Sequence, residues 1–132
     1  YEPVDRYVSL INDLDLSDKI IIYNKFLDSK MIRDYICASD LIIQPYIKAS
    51  QSGITPLCYL YNTPLVVSNI EGLKEVIHRD KSGAIFKETA ESLSNVILKS
   101  LDENKLKSFK QNIEKSKTKY SWSSFVKELQ KL

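Results

Sequence analysis

The sequence predicts an α/β domain, a parallel sheet with helices on both faces. Two observations carry this. Short runs of β-branched residues alternate with amphipathic stretches along most of the chain, the pattern of strand–helix–strand units. The runs are also apolar on both faces rather than alternating, as strands inside a parallel sheet must be. Right-handed crossovers then put helices on both sides of the sheet. With 132 residues there is material for one core.

The elements follow in chain order. Val4, Tyr7, Val8, Ile11 and Leu14 recur at three- and four-residue spacings, which predicts a helix over 2–14 with one apolar stripe. Residues 15–18 are mostly polar and turn-like. Lys19 to Asn24 predicts a first strand, built around Ile20-Ile21-Ile22. Asp28 or Ser29 caps a helix to about Ala38 that buries Met31, Ile32, Tyr35 and Ile36. Leu41 to Gln44 is a second strand, stopped by Pro45. A polar loop, 46–52, leads to a helix from Gly53 to Asn62, where asparagine tolerates the left-handed conformation that closes helices. Pro64 opens a third strand, Leu65 to Ser68. A turn at Glu71-Gly72 precedes a short helix, 73–77. After a turn over 80–83, Ala84 to Phe86 is a fourth strand. Thr89, Asp102 and Ser121 cap three final helices. These carry Leu93, Val96 and Ile97, then Leu106, Phe109 and Ile113, then Phe125, Leu129 and Leu132.

Composition excludes several functions. Hydrophobic residues are 43% and charged residues 27%, ordinary for a globular domain, and the net charge of +2 is too small to argue for nucleic acid. No apolar run approaches the roughly 20 residues of a membrane span. The single histidine, His78, has no partner at metal-ligand spacing, and its isolation argues against a Ser-His or Cys-His hydrolase. Cys37 and Cys58 both lie in apolar helical stretches and read as buried free thiols in a reducing cytoplasm.

Ligands of open α/β sheets sit beyond the carboxyl ends of the strands. The loop after the second strand, with Ser50, Gln51, Ser52, Gly53 and Ile54 at a helix start, offers unpaired amides and a glycine that lets a phosphate approach. The plain alternative is that Ser50 and Ser52 only cap the helix. The stretch matches neither the P-loop nor the dinucleotide fingerprint. Residues 68–75 after the third strand, and 24–27 after the first, are further candidates.

The order Pro-Tyr, Ser-Gln-Ser-Gly, Asn-Thr-Pro-Leu-Val-Val-Ser, Glu-Gly-Leu-Lys-Glu-Val-Ile, a Ser-Gly turn and Tyr120-Ser121-Trp122 resembles the C-terminal, Rossmann-like domain of family 4 (group 1) glycosyltransferases of the GT-B type. The resemblance covers essentially the whole chain. It implies a retaining transfer from a nucleotide-sugar, UDP- or GDP-linked, to a glycan or lipid-linked acceptor held by an N-terminal domain. No cofactor or metal is implied, because amides and basic residues handle the diphosphate. A bacterial surface-glycan role follows by family, in the cytoplasm or at the inner face of the membrane.

Carried over by position, Ser52, Gly53 and Ile54 would hold the diphosphate through their amides. Glu71, Gly72 and Leu73 would lie near the sugar, with Glu75 as the motif's glutamate or a plain surface carboxylate. Lys25 and Phe26 would flank the base. Gln51, with Ser50, would supply a polar contact to the donor. Two departures stand out. A pair of glutamates that many members carry around the donor loop is absent, whether its positions are aligned to Ala49 and Leu57 or to Ser50 and Cys58. The family's opening strand–helix–strand is also missing, so the chain is expected to lack the first two strands and the basic residues they carry. Unpaired edges in such a sheet would invite dimerisation. A non-catalytic nucleotide- or phosphate-binding module is the alternative.

Overall fold

A computed structural model describes residues 3–118 and residue 130. Among the described residues six helices and three strands follow one another as α1 (Asp5–Asp13), α2 (Ser29–Ala38), β1 (Ile42–Gln44), α3 (Ile54–Leu60), β2 (Leu65–Ser68), α4 (Glu71–Asp80), β3 (Gly83–Phe86), α5 (Ala90–Ser100) and α6 (Glu103–Lys117). The expected cap at Ser121, the Tyr120-Ser121-Trp122 motif and the stripe of Phe125, Leu129 and Leu132 lie outside the described residues.

The sheet is parallel throughout, in the order β1-β2-β3. Ile43 faces Val66 across the first pair, and Val66 faces Ala84 across the second. Every residue of β2 is buried. Successive strand side chains point to opposite faces, so both faces of the central strand are covered. The α/β architecture predicted from the alternation is the one observed.

Gly83 shows how tightly the strands seat. A Cβ there would overlap the backbone carbonyl of its register partner, Leu65. The core gathers Ile36, Cys58, Tyr59, Leu65, Val67, Leu73, Ile77 and Ile113. Its contributors come from α2, α3, β2, α4 and α6, so these elements form one body. Beside it, Tyr59 Oη donates to Asp80 Oδ2 (3.1 Å) and shares a hydrogen bond with Ser82 Oγ (2.7 Å), which satisfies buried polar atoms where α4 ends.

Local chemistry sets most boundaries. Asp28 accepts from the Met31 N–H, Thr89 from Ser92 and Asp102 from Lys105, three side-chain N-caps at the places the sequence indicates. Asn62 adopts φ 59° just past α3.

Four expectations are corrected. Residues 19–24 form no strand. Ile21 is 91% exposed, and the backbone of 21–24 has no hydrogen-bond partner among the described residues. An extended parallel segment is held by a neighbour that takes its N–H and C=O groups, and none stands beside this one among the described residues. Glu71 and Gly72 are not a turn but the first residues of α4, which runs three residues past the expected end at Ile77. Tyr35 is half exposed, its ring 6.2 Å from that of Tyr23. Cys37 is exposed, and only Cys58 is buried.

Candidate functional site

Because all three strands run the same way, the loops that follow β1 and β2 leave the sheet on one rim. Ser68 ties that rim together. Its hydroxyl reaches the carbonyls of Gln44 (3.3 Å) and Tyr46 (2.6 Å), fixing the exit of β1 against the end of β2. Beyond it the two loops touch. A Cβ on Gly72 would overlap the Ser50 carbonyl, with the Ala49 carbonyl close behind. Only glycine lets the loop lie this near α4.

The contact produces a cleft of about 600 Å³, lined by Ile47, Lys48, Ala49, Ser50, Asn69, Ile70 and Glu71. The start of α4 forms one wall. Ile70 occupies the N-cap position and offers no side-chain acceptor. Leu73 and Lys74 N–H groups bond to the Ile70 carbonyl, while the Glu71 and Gly72 N–H groups have no acceptor among the described residues. Free first-turn amides at the positive end of a ten-residue helix attract anions. Lys48, on the opposite wall, adds a cation.

Glu71 is the exception to this positive character. Its carboxylate pairs with Lys74 Nζ at 2.6 Å, which holds its pKa below the ordinary carboxylate value. It therefore stays ionised at neutral pH, and Lys74 offsets part of its charge.

The remaining expected residues fall into three groups. Ser52, Gly53 and Ile54 stand at the start of α3 and, like Gln51, are not among the residues that line the cleft. Gly53 holds the N-cap position of α3 with no side-chain cap, and one residue before it Ser52 Oγ accepts from the Ile54 N–H (3.2 Å). Gln51 is exposed beside Ser50. Leu73 is buried in the core, and Glu75 is exposed on α4. Lys25 and Phe26 do not line the cleft, and Phe26 is 94% exposed. The glutamate-equivalent positions also separate. Ala49 and Ser50 line the cleft, whereas Leu57 is half-buried and Cys58 fully buried in α3.

Ile47, Asn69 and Ile70 line the cleft although no motif marks them. Asn69 and Ile70 sit inside the segment 68–75, where the glycine is the more conspicuous residue. Gln44 reads in the sequence only as the end of a strand. A lone amide closing an apolar run is the available signal. Among the described residues no group of three or more His, Cys, Asp or Glu side chains could hold a metal ion, and no helix is long and apolar enough to cross a membrane.

Comparisons with known proteins agree with this fold. No curated protein matches the chain. Among solved structures, the sucrose-phosphate synthase of Thermosynechococcus elongatus superposes with a TM-score of 0.81 at 17% identity, over 96% of this chain and 32% of that one. At that identity the likeness shows the fold, here that of a GT-B glycosyltransferase, and this chain spans about a third of the matched protein. The pattern describing glycosyl transferases group 1 matches residues 2–117. With most of its length matched and its fold shared, the chain belongs to the group 1 glycosyl transferases.

Proposed function

We propose that the cleft between residues 47–50 and the start of α4 binds the diphosphate of a nucleotide-sugar. In this reading the chain is the donor-binding part of a retaining transferase whose acceptor is held by another domain. One observation carries it. The Ser50 carbonyl packs where a Gly72 side chain would be, so the two candidate loops meet as walls of a single cleft. The unpaired Glu71 and Gly72 amides and Lys48 support an anionic ligand there.

Oriented amides that meet a leaving diphosphate act without reorganising, and that is the catalytic contribution this part offers. The bond between the anomeric carbon and the diphosphate oxygen breaks as one from that carbon to an acceptor hydroxyl oxygen forms; the hydroxyl proton passes to the departing diphosphate, whose remaining negative charge is met by the amides and Lys48. A UDP- or GDP-linked sugar is the expected donor, and a bacterial surface glycan or lipid-linked sugar the expected acceptor. The non-catalytic module is a second reading, favoured by the lack of a carboxylate at Ala49 and Ser50 on the cleft wall.

The test is an NMR titration of the chain with UDP, GDP and ADP, with and without sugars. Amide shifts concentrated on Ser50–Thr55 and Glu71–Leu73 support the site. Shifts scattered elsewhere, or none, refute it. Glu71→Gln removes a negative charge from the wall and is expected to tighten UDP binding about threefold at low salt. A weakening instead would place that carboxylate on the ligand's hydroxyls.

A further inference from the structure

The residues lining the cleft that carry polar side chains are Lys48, Ser50, Asn69 and Glu71. Lys48 only donates hydrogen bonds, and Ser50 and Asn69 do both. An ionised Glu71 only accepts. Its carboxylate is 79% exposed, so a ligand in the cleft meets its charge. Lys74 Nζ donates to Oε1 at 2.6 Å, and this bond holds the carboxyl below its ordinary pKa and therefore ionised. Glu75, four residues on and on the same helix face, adds a second negative charge beside it.

A carboxylate repels the diphosphate that the neighbouring amides attract. Its favourable partner is therefore another part of the ligand. The Glu71 N–H is one of the two first-turn amides without an acceptor among the described residues. One residue thus offers an anion-attracting group from its backbone and an acceptor from its side chain. In a nucleotide-sugar the two complementary groups are joined, because the sugar ring is bonded to the terminal phosphate. Hydroxyls of that ring donate to a carboxylate. A carboxylate on the ring, as in a uronic acid, is repelled by it.

We propose that Glu71 is a specificity-determining residue, whose carboxylate selects a donor with a neutral, hydroxyl-bearing sugar over one with a uronic acid. This rests on the diphosphate reading of the cleft. Lys74 tunes the selection. Its pairing with Glu71 lessens the repulsion felt by the diphosphate and leaves the carboxylate an acceptor.

The test is calorimetry with UDP-glucose and UDP-glucuronate, or with GDP-mannose and GDP-mannuronate where GDP is the nucleotide that binds. Comparing two sugars on one nucleotide cancels the effect of Glu71 on the diphosphate itself. The unaltered chain is expected to favour the neutral sugar about tenfold, the size of like charges meeting at a partly screened surface. Glu71→Gln keeps the shape, loses the charge, and should shrink that preference to about twofold. Lys74→Gln removes the counter-charge and should widen it to about thirtyfold at low salt. Both side chains are largely in solvent, so neither variant threatens the core. Equal affinity of the unaltered chain for the two sugars would overturn the proposal and leave the diphosphate site standing. So would a preference unchanged in Glu71→Gln, or one narrowed in Lys74→Gln. Failure of the unaltered chain to bind either UDP or GDP would instead bring down the diphosphate reading, and this inference with it.

Discussion

Residues 3–27 and residues 29–117 are both rich in apolar side chains, yet they meet different fates. The later region buries Leu65, Val66, Val67, Ile77 and Ile113 to 2% exposure or less. The earlier one buries nothing fully. Tyr7, Leu10, Leu14, Ile21 and Phe26 all stand largely in the open, and a groove of about 410 Å³ lies between α1 and residues 20–24. Hydrophobicity is a property of a segment, but burial belongs to a pair of surfaces. β2 has a strand on either side and cover on both faces. The stretch 20–24 is as β-branched and has no strand beside it among the described residues. Its ties run to α2, through Tyr23 against Tyr35 and Met31.

This contrast can be broken by measurement. The largest effect belongs to the body. Ile113→Ala leaves a void among buried neighbours and is expected to destabilise by about 2–5 kcal/mol in chemical denaturation. A loss under about 1 kcal/mol would mean that α6 is not part of the core.

Next come the two cysteines, one for each environment. Burial pushes the Cys58 thiol up from its ordinary 9.0 to about 12. A pKa raised in the folded state means that the unfolded chain loses its proton first. Stability is therefore fully kept below pH 9 and declines as pH rises from about 9 toward 12. Cys58→Ala should flatten that decline. At about pH 8 a thiol reagent should label Cys37 at once and Cys58 only on unfolding. Two rapid equivalents would contradict the burial.

A smaller effect attaches to the helix starts. Thr89→Ala removes the acceptor of the Ser92 N–H and should cost about 1 kcal/mol. Smallest of all, Ile21→Ser should change stability by no more than about 0.5 kcal/mol. A cost comparable to that of Ile113→Ala would show that residue 21 is covered in solution.

What is legible in the sequence divides along the same line. Caps at Asp28, Thr89 and Asp102, and the left-handed Asn62, depend on a few neighbouring residues, and local pattern locates them. The α/β class is legible too, because Leu65-Val66-Val67 is apolar on both faces, as a central parallel strand must be. The expected strand over 19–24 fails because pairing depends on a distant neighbour that a local pattern cannot reveal. Glu71-Gly72 looks like a turn because glycine usually marks one. Here it answers to a tertiary demand, the Ser50 carbonyl. Gln44 escapes notice for a related reason. Its partners, Ser52 and Thr55, meet it only once the loop has folded back over the strand end.

The overlap between the Ser50 carbonyl and position 72 also limits how this protein can vary. Residues 46–52 are a surface loop, the kind of segment that ordinarily accepts insertions, deletions and exchange for a relative's version. Here a replacement must return a peptide oxygen to the same spot, or a hole opens above the first turn of α4. Any side chain at 72 would push that oxygen away. The usual latitude of a surface loop therefore ends at Ser50, where backbone placement, and not residue identity, is what inheritance has to preserve.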